Sequence, residues 1–532
     1  MAHASLEDLP VEVLLQIFSQ FCLHCQHRYT EPWDTPPLRY RPKQQRPDTK
    51  SWYSLDRHAL FSLSLASRKF RQSAQRYLYH EFVLGFDDSG RSNLYTWNGR
   101  LISFMRTLGR RRDLASLVKV VYIHPRLLRA VTGDQPLAVL KEAADALGID
   151  LGEAWKGRIP DPRRMDKSST SVSHLNLFLS PLLYGTDCLN RRLRAKIDNN
   201  PYGATTQKRN WVAAELVAML IAQLPNLEHL SIQRCPRWTS GGVIEPALSA
   251  LGLFRLNIRT LDVGPSAEAI VKLSPDLETL NLQATRLTIL SHDLPNLRTL
   301  RMTEYWSTQS SLQRLLSACT KGLESFAYES RPPSTAVACT PNARRINRHF
   351  QPSDAVRCLG PHKKTLKSLH LDLSGQGRVI TRIEDGLDLK DFVALEHLFI
   401  GSEAIYSLNE PDEDDTSHSE VLIRLLPASI KSLSIQNNHE QMEEGPLEKG
   451  LLGLAELKQM RPMQFPKLRW VQCELKNDSQ ALHSMFEAVQ VKFMSGSWVL
   501  SEAKPYLNGT TWKLGGIQSL RAGEKDLSED EM

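Results

Sequence analysis

Cys22-Leu-His24-Cys25-Gln-His27 gathers four side chains able to ligate zinc within six residues. A tetrahedral site normally draws two ligands from each of two separated segments, and no second cysteine pair follows nearby. Cys22 also continues the apolar face of the residues before it, so the expectation is a helix end with a buried cysteine, and no metal ligand is assigned. Other chemistry has less support: the chain contains no G-x-x-x-x-G-K-[ST], no G-x-G-x-x-G after a strand pattern, no H-E-x-x-H and no G-x-S-x-G. No catalytic residue and no cofactor site is expected, and an enzyme is the least supported class. Three basic groups, Arg110-Arg111-Arg112, Arg191 to Lys196 and Arg344-Arg345, invite phosphate, but each reads as a solvated loop. Trp238, Tyr305 and Trp306 follow strand patterns, where an exposed aromatic can anchor an interface, and burial between elements is the equal alternative.

The element that must position the cysteines is residues 5–22, SLEDLPVEVLLQIFSQFC. Pro10 suits a first helical position because no hydrogen bond is lost there, Asp8 can accept from the free N–H groups, and Glu12 meets the positive end of the helix dipole. Val11, Leu14, Leu15, Phe18 and Cys22 fall on one face, and Val13, Ile17 and Phe21 on a second. A helix so widely apolar must be buried deep in a domain or shared with another protein.

Leu9-Pro10-x-Glu12-x-Leu14-x-x-Ile17-Phe18 resembles the first helix of an F-box, and Leu60 to Phe82, with Leu63, Leu65, Ser67-Arg68-Lys69-Phe70, Ala74 and Tyr77-Leu78-Tyr79, resembles the rest. The resemblance implies docking onto the Skp-type adaptor of an SCF cullin ubiquitin ligase through Leu9, Pro10, Leu14, Ile17 and Phe18. It departs from the family at residues 23–57, where a short turn is replaced by a segment holding Pro32, Pro36, Pro37, Pro42 and Pro47. Such a segment reads as an exposed insertion.

A chain of 532 residues exceeds one ordinary core, and a net charge of +7 spread among acids makes no field that argues for nucleic acid. The first residues lack a basic flank followed by an apolar run, and no apolar stretch of about 18 residues occurs, so neither secretion nor a membrane partner is expected. Eight scattered cysteines suit reduced thiols in cytosol or nucleus.

From residue 211 a repeated grammar appears. A helix, WVAAELVAMLIAQLP, precedes Leu227, Leu230 and Ile232. The pattern returns at Ile258, Leu261, Val263; Leu277, Leu280, Leu282; Leu297, Leu300, Met302; Leu323, Phe326, Tyr328; Leu366, Leu369, Leu371; Leu395, Leu398, Ile400; Ile430, Leu433, Ile435; and Leu468, Val471, Cys473. Period-two apolar residues make the inner face of a short strand, and the helix before it supplies the other wall. This resembles leucine-rich repeats, unevenly spaced, and the combination is similar to fungal-type F-box/leucine-rich-repeat proteins.

The expected fold is therefore α/β: an N-terminal helical F-box over 1–82, a connecting helical region with first repeats over 83–210, an irregular leucine-rich-repeat-like solenoid over 211–500 and a tail over 501–532. A stretch at 118–123 reads as an early strand, and 479–494 as a helix capping the stack. The functional expectation is a non-catalytic substrate-recognition subunit, with the adaptor and cullin complex at one end and an unidentified target protein on the repeats. A repeat scaffold with no ubiquitin role is the alternative.

Overall fold

The computed structural model describes residues 6–26, 52–84, 97–123, 127–128, 135–156, 158, 201–232, 244–263, 268–283, 293–305, 309–330, 351–373, 387–406, 415–437, 444–475 and 479–495. Period-two patterning sets its strands. These are β1 (Glu81–Val83), β2 (Val120–Ile123), β3 (His229–Ile232), β4 (Thr260–Val263), β5 (Thr279–Gln283) and β6 (Thr299–Tyr305). They continue as β7 (Ser325–Ser330), β8 (Ser368–Asp372), β9 (His397–Gly401), β10 (Ser432–Gln436), β11 (Trp470–Cys473) and β12 (Lys492–Ser495). Among the described residues they stand side by side in the order of the sequence, β1 to β4 in one stretch and β5 to β12 in another, and every pairing described is parallel.

This corrects the expected division into a helical N-terminal domain and a repeat solenoid starting at residue 211. β1 and β2 precede that point, β2 pairs with β3 (Val121 with Leu230), and the sheet takes in all three. The reason is local. The His80 carbonyl accepts from the N–H groups of Lys119 and Val120 at 2.7 and 3.0 Å, so pairing begins where the third N-terminal helix ends. The architecture is an α/β one, with twelve strands among the described residues in parallel sheet and helices between them.

The described residues form two compact units, one reaching Leu277 and the other beginning at Glu278. In the first, the helices Arg100–Arg110, Gln135–Leu147 and Pro201–Gln223 pack on one another. Residues 211–221 of the last are buried all round, as suits a helix apolar on every side. Its one buried acid, Glu215, accepts from Arg158 at 2.6 and 2.9 Å and from the Trp155 indole at 3.2 Å, which offsets the cost of burying the charge.

In the second unit, Leu280, Leu300, Phe326, Leu369, Leu398, Leu433, Val471 and Phe493 lie opposite one another from strand to strand. All are buried, each worth about 1.5–3 kcal/mol of transfer free energy. The stretch 479–494 forms the helix Gln480–Ala488 and then β12, separated by Gln490 at φ 56°, so the expected capping helix ends in a strand.

Candidate functional site

The N-terminal helices are α1 (Val11–Ser19), α2 (Trp52–Ala66) and α3 (Arg68–Leu78). Pro10 stands one residue before α1, and its carbonyl accepts from Val13 and Leu14 at 3.1 and 3.2 Å. Leu14 and Phe18, one turn apart, are 0% exposed and share a core with Cys22, Leu60, Phe70, Ala74 and Tyr77. The Phe18 ring meets Phe70 edge-on, centroids 6.2 Å apart. The expectation that Leu14 and Phe18 touch an adaptor is thereby corrected: their own helices enclose them. Leu9 and Ile17 are half-buried against the same cluster, and Pro10 is exposed.

The broad apolar character of α1 divides between two uses. One stripe faces inward, while Val11 and Val13 remain on the surface. Ten large apolar side chains are exposed among the described residues, and six of them lie here: Leu6, Val11, Val13, Leu55, Phe61 and Leu65. Phe254, Val393, Met460 and Met463 are the other four. Phe61 and Leu65 are spaced i, i+4 on α2 and are 49% and 62% exposed, so they share a face left to solvent.

Polar contacts fix these helices. Ser67 accepts from the Phe70 N–H at 3.2 Å, capping α3. Lys69 donates to the carbonyls of Glu7 and Leu9 at 2.6 and 2.8 Å, holding the approach to α1 against α3. Arg57 donates to the carbonyls of Tyr77 (3.0 Å) and Leu78, which end α3, and pairs with buried Glu81 at 3.5 Å. Glu81 in turn accepts from the N–H groups of Leu23 and His24 at 3.3 and 3.2 Å. One carboxylate on β1 thus binds the end of α1 and the side of α2.

Beside Glu81 the sulfur and imidazole groups converge. The Sγ atoms of Cys22 and Cys25 lie 3.7 and 3.4 Å from His80 Nδ1, and Cys25 Sγ lies 3.8 Å from His24 Nδ1. One ligand atom from each of Cys22, His24, Cys25 and His80 falls within 4.8 Å of every other. His24 and His80 stand nearly perpendicular, ring centroids 5.4 Å apart. The outer nitrogen of His24, Nε2, is 3.6 Å from Glu228 Oε2. Contact with Cys22, and then with His24 and His80, draws the Cys25 thiol down to about 3, whereas contact with Cys25, burial and the Glu81 charge push Cys22 up. His80 has no place in the sequence motif. It follows α3 by two residues, and only the folding of β1 beside the end of α1 brings it in.

His27, Trp238 and Trp306 lie outside the described residues; Tyr305 ends β6, and its side chain is likewise outside them. The expected target contacts Trp238, Tyr305 and Trp306 thus fall outside what the structure describes. No helix among the described residues is long and apolar enough to cross a membrane. Compared with protein-family models and with curated proteins, the chain matches none.

Proposed function

We propose that the chain is a non-catalytic substrate-recognition subunit of an SCF-type cullin ubiquitin ligase, held to a Skp-type adaptor by its N-terminal helices. The observation that carries the reading is the concentration of exposed apolar side chains on those helices, which burial of Leu14 and Phe18 does not remove. Leaving that much apolar surface in water is unfavourable unless a second protein covers it. The resemblance in residues 9–18 and 60–82 supplies the identity of that protein. The contact set is Leu9, Pro10, Val11, Val13, Ile17, Phe61 and Leu65, of which Leu9 and Ile17 are half-buried and the others exposed. The target protein would be held by the remainder of the chain, and the ubiquitin chemistry belongs to enzymes that the complex gathers.

The test is co-purification of the tagged full chain with a Skp-type adaptor. The unaltered chain is expected to bring the adaptor down. Val13→Glu and Leu65→Glu, which place charges at surface positions and spare the core, should weaken capture about 30-fold, the equivalent of ~2 kcal/mol at an interface centre. An unaltered, folded chain that captures no adaptor overturns the reading.

A further inference from the structure

We propose that Cys22, His24, Cys25 and His80 form a tetrahedral site for a zinc-class divalent cation, which fastens the end of α1 to the entry of β1. The proposal is independent of any partner of the N-terminal helices. Zinc bonds of about 2.3 Å to sulfur and 2.0–2.1 Å to nitrogen, spread tetrahedrally, set ligand-to-ligand edges of about 3.3–3.8 Å. The three sulfur–nitrogen separations found, 3.4, 3.7 and 3.8 Å, already sit at that scale. A small contraction about the centre would complete the shell, since no two of the four ligand atoms are more than 4.8 Å apart.

Two segments contribute: Cys22 to Cys25 from the turn after α1, and His80 from between α3 and β1. Hydrogen bonding alone gives poor reason for this convergence, because a thiol is a weak donor and a weak acceptor. Two thiolates with two neutral imidazoles, by contrast, neutralise a divalent ion and are the donor set that favours zinc over calcium or magnesium.

The surroundings match what metal-bound histidines use. His24 turns Nδ1 toward the sulfurs and Nε2 toward the Glu228 carboxylate, an arrangement that fixes the ring and raises its basicity as a ligand. Glu81 holds the backbone of Leu23 and His24, so the turn bearing three of the four groups is anchored. The Glu81 charge is itself compensated by Arg57 at 3.5 Å.

The experiment uses the full chain, purified without chelator and loaded with zinc or with cobalt as a spectroscopic stand-in. One zinc per chain is expected by elemental analysis, retained through gel filtration. The cobalt form should show the visible bands of a tetrahedral centre and a thiolate charge-transfer band in the near ultraviolet. Cys319→Ser, at a buried cysteine on the helix-to-strand turn before β7, should leave both unchanged. Cys25→Ser should lower the affinity at least 100-fold. Should that variant fail to fold, His80→Cys keeps the ligand count and is expected to retain the ion with a stronger thiolate band. Folded wild-type chain that retains no zinc after exposure to it and gel filtration, or a cobalt spectrum without the thiolate band, overturns the proposal, as does a Cys22–Cys25 disulfide as the form isolated under reducing conditions.

Discussion

Phe18 and His362 show how differently single residues use burial. Phe18 is enclosed by the other helices and touches Phe70, so Phe18→Ala leaves a cavity and should cost about 3–5 kcal/mol. Denaturant unfolding followed by tryptophan fluorescence measures it, with Val13→Ala, at a surface position on the same helix, expected within about 0.5 kcal/mol of the unaltered chain. His362 is buried for a polar reason. Its Nδ1 accepts from the Leu323 N–H at 3.2 Å, so Nε2 carries the proton and donates to the Leu316 carbonyl at 3.1 Å. Burial holds its pKa below the ordinary histidine value. The unfolded chain therefore takes up a proton first as the pH falls, and stability present above about pH 6.5 is lost as the pH drops from there through the folded value. Thermal unfolding midpoints at pH 7.5 and 5.5 should fall further apart in the unaltered chain than in His362→Gln; equal drops would count against this account.

At the scale of elements, turns carry conformational demands that side-chain patterning does not announce. Gly322 has φ 95°, and a Cβ there would meet Thr365 Oγ1 at 2.7 Å, just before β7. Gly322→Ala should cost about 1–3 kcal/mol, read from the urea midpoint of the full chain, and a neutral substitution would show that the backbone can move away. Which elements could be read in advance follows the strength of their pattern. Leu280 with Leu282, Leu369 with Leu371 and Leu433 with Ile435 alternate cleanly, and each pair marks a strand. β1 has three residues and begins with a buried acid, so it offers no alternation to read. β12 was hidden because Phe486 and Phe493, seven residues apart, look like one helical face, yet Gln490 turns the chain between them and their rings stack at 5.2 Å.

Across the whole molecule, β1 decides an architecture that the sequence did not announce, whereas the early strand expected at 118–123 forms as β2. The period-two residues from 230 onward show where strands form, but only pairing shows that the sheet starts at Glu81. The candidate metal group was visible only in part for the same reason, with Cys22, His24 and Cys25 legible and His80 not. Three of its members are adjacent in the chain, and the fourth arrives through the long-range contact that forms β1. Surface and core on α1 were also inseparable in one dimension, since both of its apolar stripes look alike until α2 and α3 choose between them.

The sheet's last strand carries a further consequence. β12 is four residues long, Lys492 is exposed, and its ammonium lies 4.8 Å from the centre of the Trp470 ring on β11. An open border of a parallel sheet can template the addition of foreign strands and so seed fibrils. Here the template is brief, and any newcomer must first desolvate a cation already engaged with an indole. Among the described residues this is the last strand, and its four residues with a lysine seated on the neighbouring indole are features that disfavour the addition of a foreign strand.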